Sequence, residues 1–159
     1  MTAVIRRAVT GDLEAVGRLG ANLLLAHYDF DPQRFMQGGP DAEASYAWFL
    51  GTQLDRPDSL VLVAESGGEA IGYLYAGIEP RNWKELRDEA GFIHDILVDD
   101  THRGAGIAQQ LMDVALAWFR ERGAPRAILW TAARNTRAQQ LFERLGFRNT
   151  MIEMTRELK

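Results

Sequence analysis

The sequence predicts a mixed α/β fold, and three observations carry that expectation. Short β-branched and leucine-rich runs alternate with segments whose apolar residues recur at three- and four-residue steps. Glycines and prolines fall between these segments at turn and helix-stop positions, and no internal repeat or linker divides the chain. With 159 residues the chain is read as one domain, 1–159, long enough to bury about 70% of the surface its unfolded form exposes.

Ala3 to Val9 is the first strand. Thr10, with Gly11 and Asp12, caps a helix whose apolar positions are Leu13, Val16, Leu19, Leu23 and Ala26, ending near His27. Tyr28 to Pro40 reads as an irregular loop, and Asp41 caps a second helix through about Leu54. Ser59 to Glu65 and Glu69 to Ile78 frame Ser66, Gly67 and Gly68, a hairpin signal. After a polar stretch from Glu79 to Ala90, Gly91 to Val98 is a further strand, stopped by Asp99 and Asp100. From Gly106, residues Ile107, Leu111, Val114, Ala115 and Trp118 mark an amphipathic helix closed by Gly123. Ala127 to Thr131 is a short buried strand. Asn135 then caps a helix carrying Ala138, Leu141, Phe142 and Leu145 on one face, with Gly146 ending it and Phe147 folding back. Met151 to Leu158 is read as a last strand, with Ile152, Met154 and Leu158 on one face. The expected order is β-α-α-β-β-β-α-β-α-β.

Composition removes several function classes. There is no cysteine, which excludes a disulfide framework, a thiol nucleophile and a thiolate metal site, and fits a cytoplasmic location. A net charge of −4 makes the whole chain a poor trap for nucleic acid or anionic membrane. The longest apolar run, Val114 to Phe119, is far too short to span a bilayer, and no signal-peptide core follows Arg6 and Arg7.

The most informative stretch is Asp99 to Ala108, between a strand and a helix. A helix N-terminus offers unpaired N–H groups and the positive dipole end, small residues admit a diphosphate close to the backbone, and Arg103 adds a forked cation. The spacing is neither the dinucleotide fingerprint nor a phosphate loop ending in Gly-Lys-Ser or Gly-Lys-Thr.

Arg103-Gly104-Ala105-Gly106-Ile107-Ala108 resembles the Gln/Arg-x-x-Gly-x-Gly/Ala pattern of the GNAT superfamily of acyl-coenzyme A N-acetyltransferases. Asp95-Ile96-Leu97-Val98 is similar to the end of that family's fourth strand, and Asn135 to Phe147 to its last helix with a Leu-Gly-Phe ending. The motifs cover about Phe92 to Phe147, and the element order fits over nearly the whole chain. The resemblance implies acetyl-CoA as co-substrate without a metal, and a primary amine of a small molecule or peptide as acceptor. It implies backbone amides of Arg103, Gly104, Ala105, Gly106, Ile107 and Ala108 around the pyrophosphate, and pantetheine alongside Ile96, Leu97 and Val98. A backbone N–H near Leu97 or Val98 polarises the thioester carbonyl. Asn135 is placed to contact the cofactor, to cap its helix, or both.

The acceptor amine must lose a proton. His94 is favoured as the base, directly or through water, because imidazole titrates near neutrality. Asp95 is the alternative base, or else orients a backbone group or pairs with an arginine. Simple pleating puts the two side chains on opposite faces, and a bulge would change that. The family's usual proton donor is a tyrosine in the last helix, and this sequence has Phe142 there. The donor is therefore Tyr28, Tyr73 or Tyr75, water, or the acceptor's own ammonium. The same residue keeps open a CoA-binding regulatory module with little turnover. By analogy with the family, Met151 to Leu158 is a candidate homodimer interface.

Overall fold

The computed structural model describes residues 2–159. Its centre is a five-stranded mixed sheet ordered β1-β2-β3-β4-β5. Strands β1 (Val4–Arg7), β2 (Ser59–Ser66), β3 (Glu69–Glu79) and β4 (Ala90–Val98) pair antiparallel, and β5 (Ala127–Leu129) joins β4 in parallel. Helices α1 (Leu13–Phe30) and α2 (Ala42–Gly51) belong to one side, α3 (Ile107–Glu121) and α4 (Thr136–Arg144) to the other.

Strand β2 shows why the sequence forms this sandwich. Leu60, Leu62 and Ala64 point to the α3 side, where they meet Leu111, Met112 and Ala115. The alternate residues Val61 and Val63 point to the α1 side, against Val16, Leu19 and Leu50. A strand covered on both faces needs no polar alternation, which explains the continuous apolar run. Burying side chains such as Val16 and Leu19 stabilises the fold by about 1.5–3 kcal/mol each.

Helix α1 is entered through a short 3-10 turn, Thr10–Asp12. The side chain that ties this turn is Asp12, not Thr10: its carboxylate accepts the Val9 N–H at 2.8 Å and both Arg6 guanidinium arms at 2.8 and 2.9 Å. The Arg6 cation holds the Asp12 carboxyl below its ordinary range. Helix α2 packs tightly on α1 because Gly17 has no side chain, and an added Cβ there would lie 2.5 Å from the Glu43 carbonyl oxygen. The end of α4 follows expectation. Gly146 adopts φ 91°, and the Phe147 N–H reaches back to the Phe142 carbonyl at 3.0 Å.

The last expected strand does not form. Residues beyond α4 carry no regular structure, and Met151, Ile152, Met154 and Leu158 are 81–90% exposed. Alternation alone cannot make a strand, since its backbone needs a neighbouring ladder. Here β5 is three residues long and is paired with β4, while the tail is tied instead by an Arg34–Glu153 ion pair. The observed order is therefore β-α-α-β-β-β-α-β-α.

Candidate active site

Two geometric features converge at the C-terminal end of β4. First, β4 and β5 pair only over Gly91–Ile93 against Ala127–Leu129, although β4 continues to Val98. Among the described residues, no strand lies beside the β5-facing edge of residues 94–98, which includes Ile96, Leu97 and Val98. A backbone edge of that kind offers donors and acceptors to an extended ligand. Second, the chain leaves Val98 through a 3-10 turn, Asp100–His102, and reaches α3 through Gly104 at φ 86° and Gly106 at φ 75°.

Both glycines are in the left-handed region, where a Cβ costs about 1–2 kcal/mol. An added Cβ at either would meet nothing within 4 Å, so neither glycine is covered by the rest of the protein. Gly106 is the N-cap of α3 and supplies no side-chain cap, and the first N–H bonding back to it is that of Gln110, at 3.1 Å. The N–H groups of Ile107, Ala108 and Gln109 precede that bond and lack intrahelical partners. This open amide cradle at a helix N-terminus fits a pyrophosphate. Arg103 is held in place beside it: its guanidinium pairs with Asp100 at 2.7 Å and approaches the Val98 carbonyl at 3.5 Å.

A bulge sets the faces of His94 and Asp95. Asp95 pairs with Tyr75 and Ile93 with Ala76, which leaves His94 as the extra residue. Ile93, Ile96 and Val98 pack toward α3, whereas both His94 and Asp95 turn to the α1–α2 side. Simple pleating is thereby broken, and the two groups share one face. The His94 ring stacks on Tyr75 at 4.9 Å and on Phe92 at 4.8 Å, and its Nε2 lies 2.8 Å from Glu79 Oε1. Asp95 accepts the Tyr73 hydroxyl at 3.0 Å. Burial pushes the Asp95 carboxyl above its ordinary range, and the Tyr73 bond and nearby His94 and His27 only partly oppose this. Burial likewise raises Tyr73, and with help from the Asp95 charge pushes Tyr46 up to about 12.

His94 borders an open cavity of about 250 Å³ lined by Glu79, Asn82, Glu85, Arg87, Phe92 and Trp130. Its rim is the connection 80–89, folded back by an Asn82–Arg87 bridge with Leu86 at φ 53°. A larger cleft of about 850 Å³ lies between α1, α2 and the loop joining them, and Tyr28 lines it. None of the β4 residues borders that cleft. Asn135 accepts the Ala138 N–H at 3.2 Å, and its side chain is engaged as the cap of α4. Phe142 is buried in the core on the α3 side, 6.0 Å from the Phe147 ring. Among the expected donors, Tyr73 is committed to Asp95 and Tyr75 contacts Gln53 at 3.3 Å. No cluster of three metal-ligating side chains occurs among the described residues.

Sequence reasoning missed two partners, Glu79 for His94 and Tyr73 for Asp95. The alternation of Tyr73 and Tyr75 along β3 was a readable signal for the second. The first depends on the bulge.

The unpaired β4 edge beside a glycine-rich helix start is the arrangement that the resemblance to acyltransferases implies, and comparison with known proteins supports that class. The model of the Acetyltransferase (GNAT) family matches residues 24–147, and the chain belongs to that family. An Archaeoglobus fulgidus protein described as an uncharacterized N-acetyltransferase is 32% identical over 142 residues, 87% of this chain and 88% of the relative. The solved BH1408 tetramutant from Bacillus halodurans superposes with a TM-score of 0.84 at 23% identity, covering 98% of this chain and 99% of that one. The structure of AAC(6')-Iy with a bisubstrate analogue of CoA and acetylneamine gives a TM-score of 0.73 at 21% identity, covering 100% and 99%.

Proposed function

We propose that this protein transfers the acetyl group of acetyl-CoA directly to a primary amine of a small molecule or peptide. The single observation that carries the reading is the open amide cradle of residues 103–108 beside the unpaired edge of β4. Arg103, Gly104, Ala105, Gly106, Ile107 and Ala108 hold the pyrophosphate, and Ile96, Leu97 and Val98 align the pantetheine arm. When bound, the co-substrate supplies an activated acetyl thioester. A β4 backbone N–H at Leu97 or Val98 polarises its carbonyl, and proximity supplies much of the rate.

His94 removes the amine proton and Asp95, bonded to Tyr73, positions the strand. Asp95 is the alternative base, and its engagement by the Tyr73 hydroxyl makes it the weaker candidate. With Phe142 in the core, water or the acceptor's own ammonium provides the proton for the departing thiolate. Asn135 acts first as a helix cap. The reading includes one domain in the cytoplasm; no helix among the described residues is long and apolar enough to cross a membrane. It also includes a homodimer, supported by the exposed apolar side chains of 151–158. Sedimentation as a dimer, lost on deleting 148–159, tests that part.

Thiol release from acetyl-CoA in the presence of a panel of primary amines tests the main reading. Amine-dependent release is expected. Tight acetyl-CoA binding without amine-dependent release would instead favour a regulatory module, the alternative that buried Phe142 keeps in view.

A further inference from the structure

The pair formed by His94 and Glu79 is not part of the cradle and has its own geometry. Glu79 closes β3 and reaches across to the bulged residue of β4, so that Nε2 and Oε1 meet at 2.8 Å. Gly77 lies beside the pair: an added Cβ there would stand 3.2 Å from the Asp58 carbonyl oxygen, 3.4 Å from Glu79 Oε1 and 3.9 Å from His94 Nε2. Below, the ring is fixed by stacking on Tyr75 at an interplanar angle of 28° and on Phe92 at 12°. An ionised carboxylate only accepts hydrogen bonds. In the neutral ring, therefore, the proton is on Nε2 and the lone pair on Nδ1.

We propose that Glu79 is a positioning residue for acetyl transfer, holding His94 by Nε2–H so that Nδ1 is the atom that receives the acceptor's proton. This rests on the reading of His94 as the base. The ammonium proton of the acceptor passes to Nδ1. The freed lone pair forms the N–C bond to the acetyl carbon, the C–S bond breaks with its electron pair on sulfur, and the nitrogen's surplus proton ends on that thiolate. The amide and free CoA leave, and the imidazolium returns its proton to solvent.

The charged and titratable groups around the ring are Glu79 and Tyr75 from β3, Asp95 on β4, and Glu85 with Arg87 from the 80–89 connection. Glu85 and Arg87 are paired with each other at 2.6 Å, and Asp95 is bonded to Tyr73. Glu79 is thus the carboxylate in direct contact with the ring.

The test uses the full chain and the near-isosteric variant Glu79→Gln, with Glu79→Leu as a second variant. Both are first checked for unchanged circular dichroism. In Glu79→Gln the side-chain amide oxygen can still accept from Nε2–H, so nitrogen NMR shifts should keep the Nε2-protonated signature. Nitrogen shifts should report Nε2 protonated in the neutral wild type, and Glu79→Leu should shift them toward an average of both tautomers. With propylamine as probe acceptor, Glu79→Leu should lower kcat about tenfold without changing the KM for acetyl-CoA. A tautomer signature that Glu79→Leu leaves unchanged overturns the proposal. If that result accompanies a His94→Gln variant that loses the acidic limb of the rate profile, His94 remains the base and Glu79 is a bystander. If His94→Gln keeps the limb, the base assignment itself fails.

Discussion

Replacing Gly106 by alanine separates a structural role for the cradle from a binding role. At φ 75° an alanine costs about 1–2 kcal/mol in backbone strain. No other cost arises in the free protein, because the new Cβ meets nothing within 4 Å. For a chain of this size each kcal/mol lowers Tm by about 2–4 °C, so a fall of about 2–8 °C is expected. Bound acetyl-CoA faces a second penalty. Under the proposed binding of the pyrophosphate to residues 103–108, a methyl group at Gly106 crowds the ligand, and losing one charge-assisted N–H···O contact costs about 1.5–3 kcal/mol, or roughly 10- to 100-fold in Kd. Differential scanning fluorimetry and isothermal titration calorimetry on the same preparation read the two numbers. A lowered Tm with unchanged acetyl-CoA affinity would refute the assignment of residues 103–108 to the pyrophosphate.

Three further outcomes follow from the structure. His94→Gln should lower kcat about 100-fold or more and remove the acidic limb of the pH–rate profile while leaving acetyl-CoA affinity intact, as calorimetry and stopped-time assays will read. Asp95→Asn should raise Tm at neutral pH, because burial raises the carboxyl's folded proton affinity and folding penalises the charged form; Asn still accepts from Tyr73. That gain should vanish as the pH falls below about 4, where the unfolded carboxyl is also protonated, and a gain that persists there contradicts the linkage. Gly17→Ala should cost about 1–3 kcal/mol in a urea titration, since the Cβ would press on the Glu43 backbone carbonyl and a backbone atom cannot swing away.

Much of this architecture is legible in the residues because local chemistry and global packing agree. The run Leu60-Val61-Leu62-Val63-Ala64 announces a strand buried on both faces, and Asn135 and Gly146 bracket α4 by cap geometry. The cradle was equally readable, since Gly104 and Gly106 fall between a strand and an amphipathic helix. What escaped depends on partners distant in sequence. Alternation in Ile152, Met154 and Leu158 looks like a strand, but among the described residues the tail pairs with no strand of the sheet. The faces of His94 and Asp95 turn on one bulge, where the register against Tyr75 and Ala76 skips His94. Glu79 became a partner of His94 through that same register.

The most direct test of the central claim is mass spectrometry of a primary amine incubated with acetyl-CoA and the full chain. The account predicts that the amine gains one acetyl group at a rate proportional to enzyme and strongly reduced in His94→Gln. An amine that stays unmodified across the panel while acetyl-CoA binds tightly would contradict it.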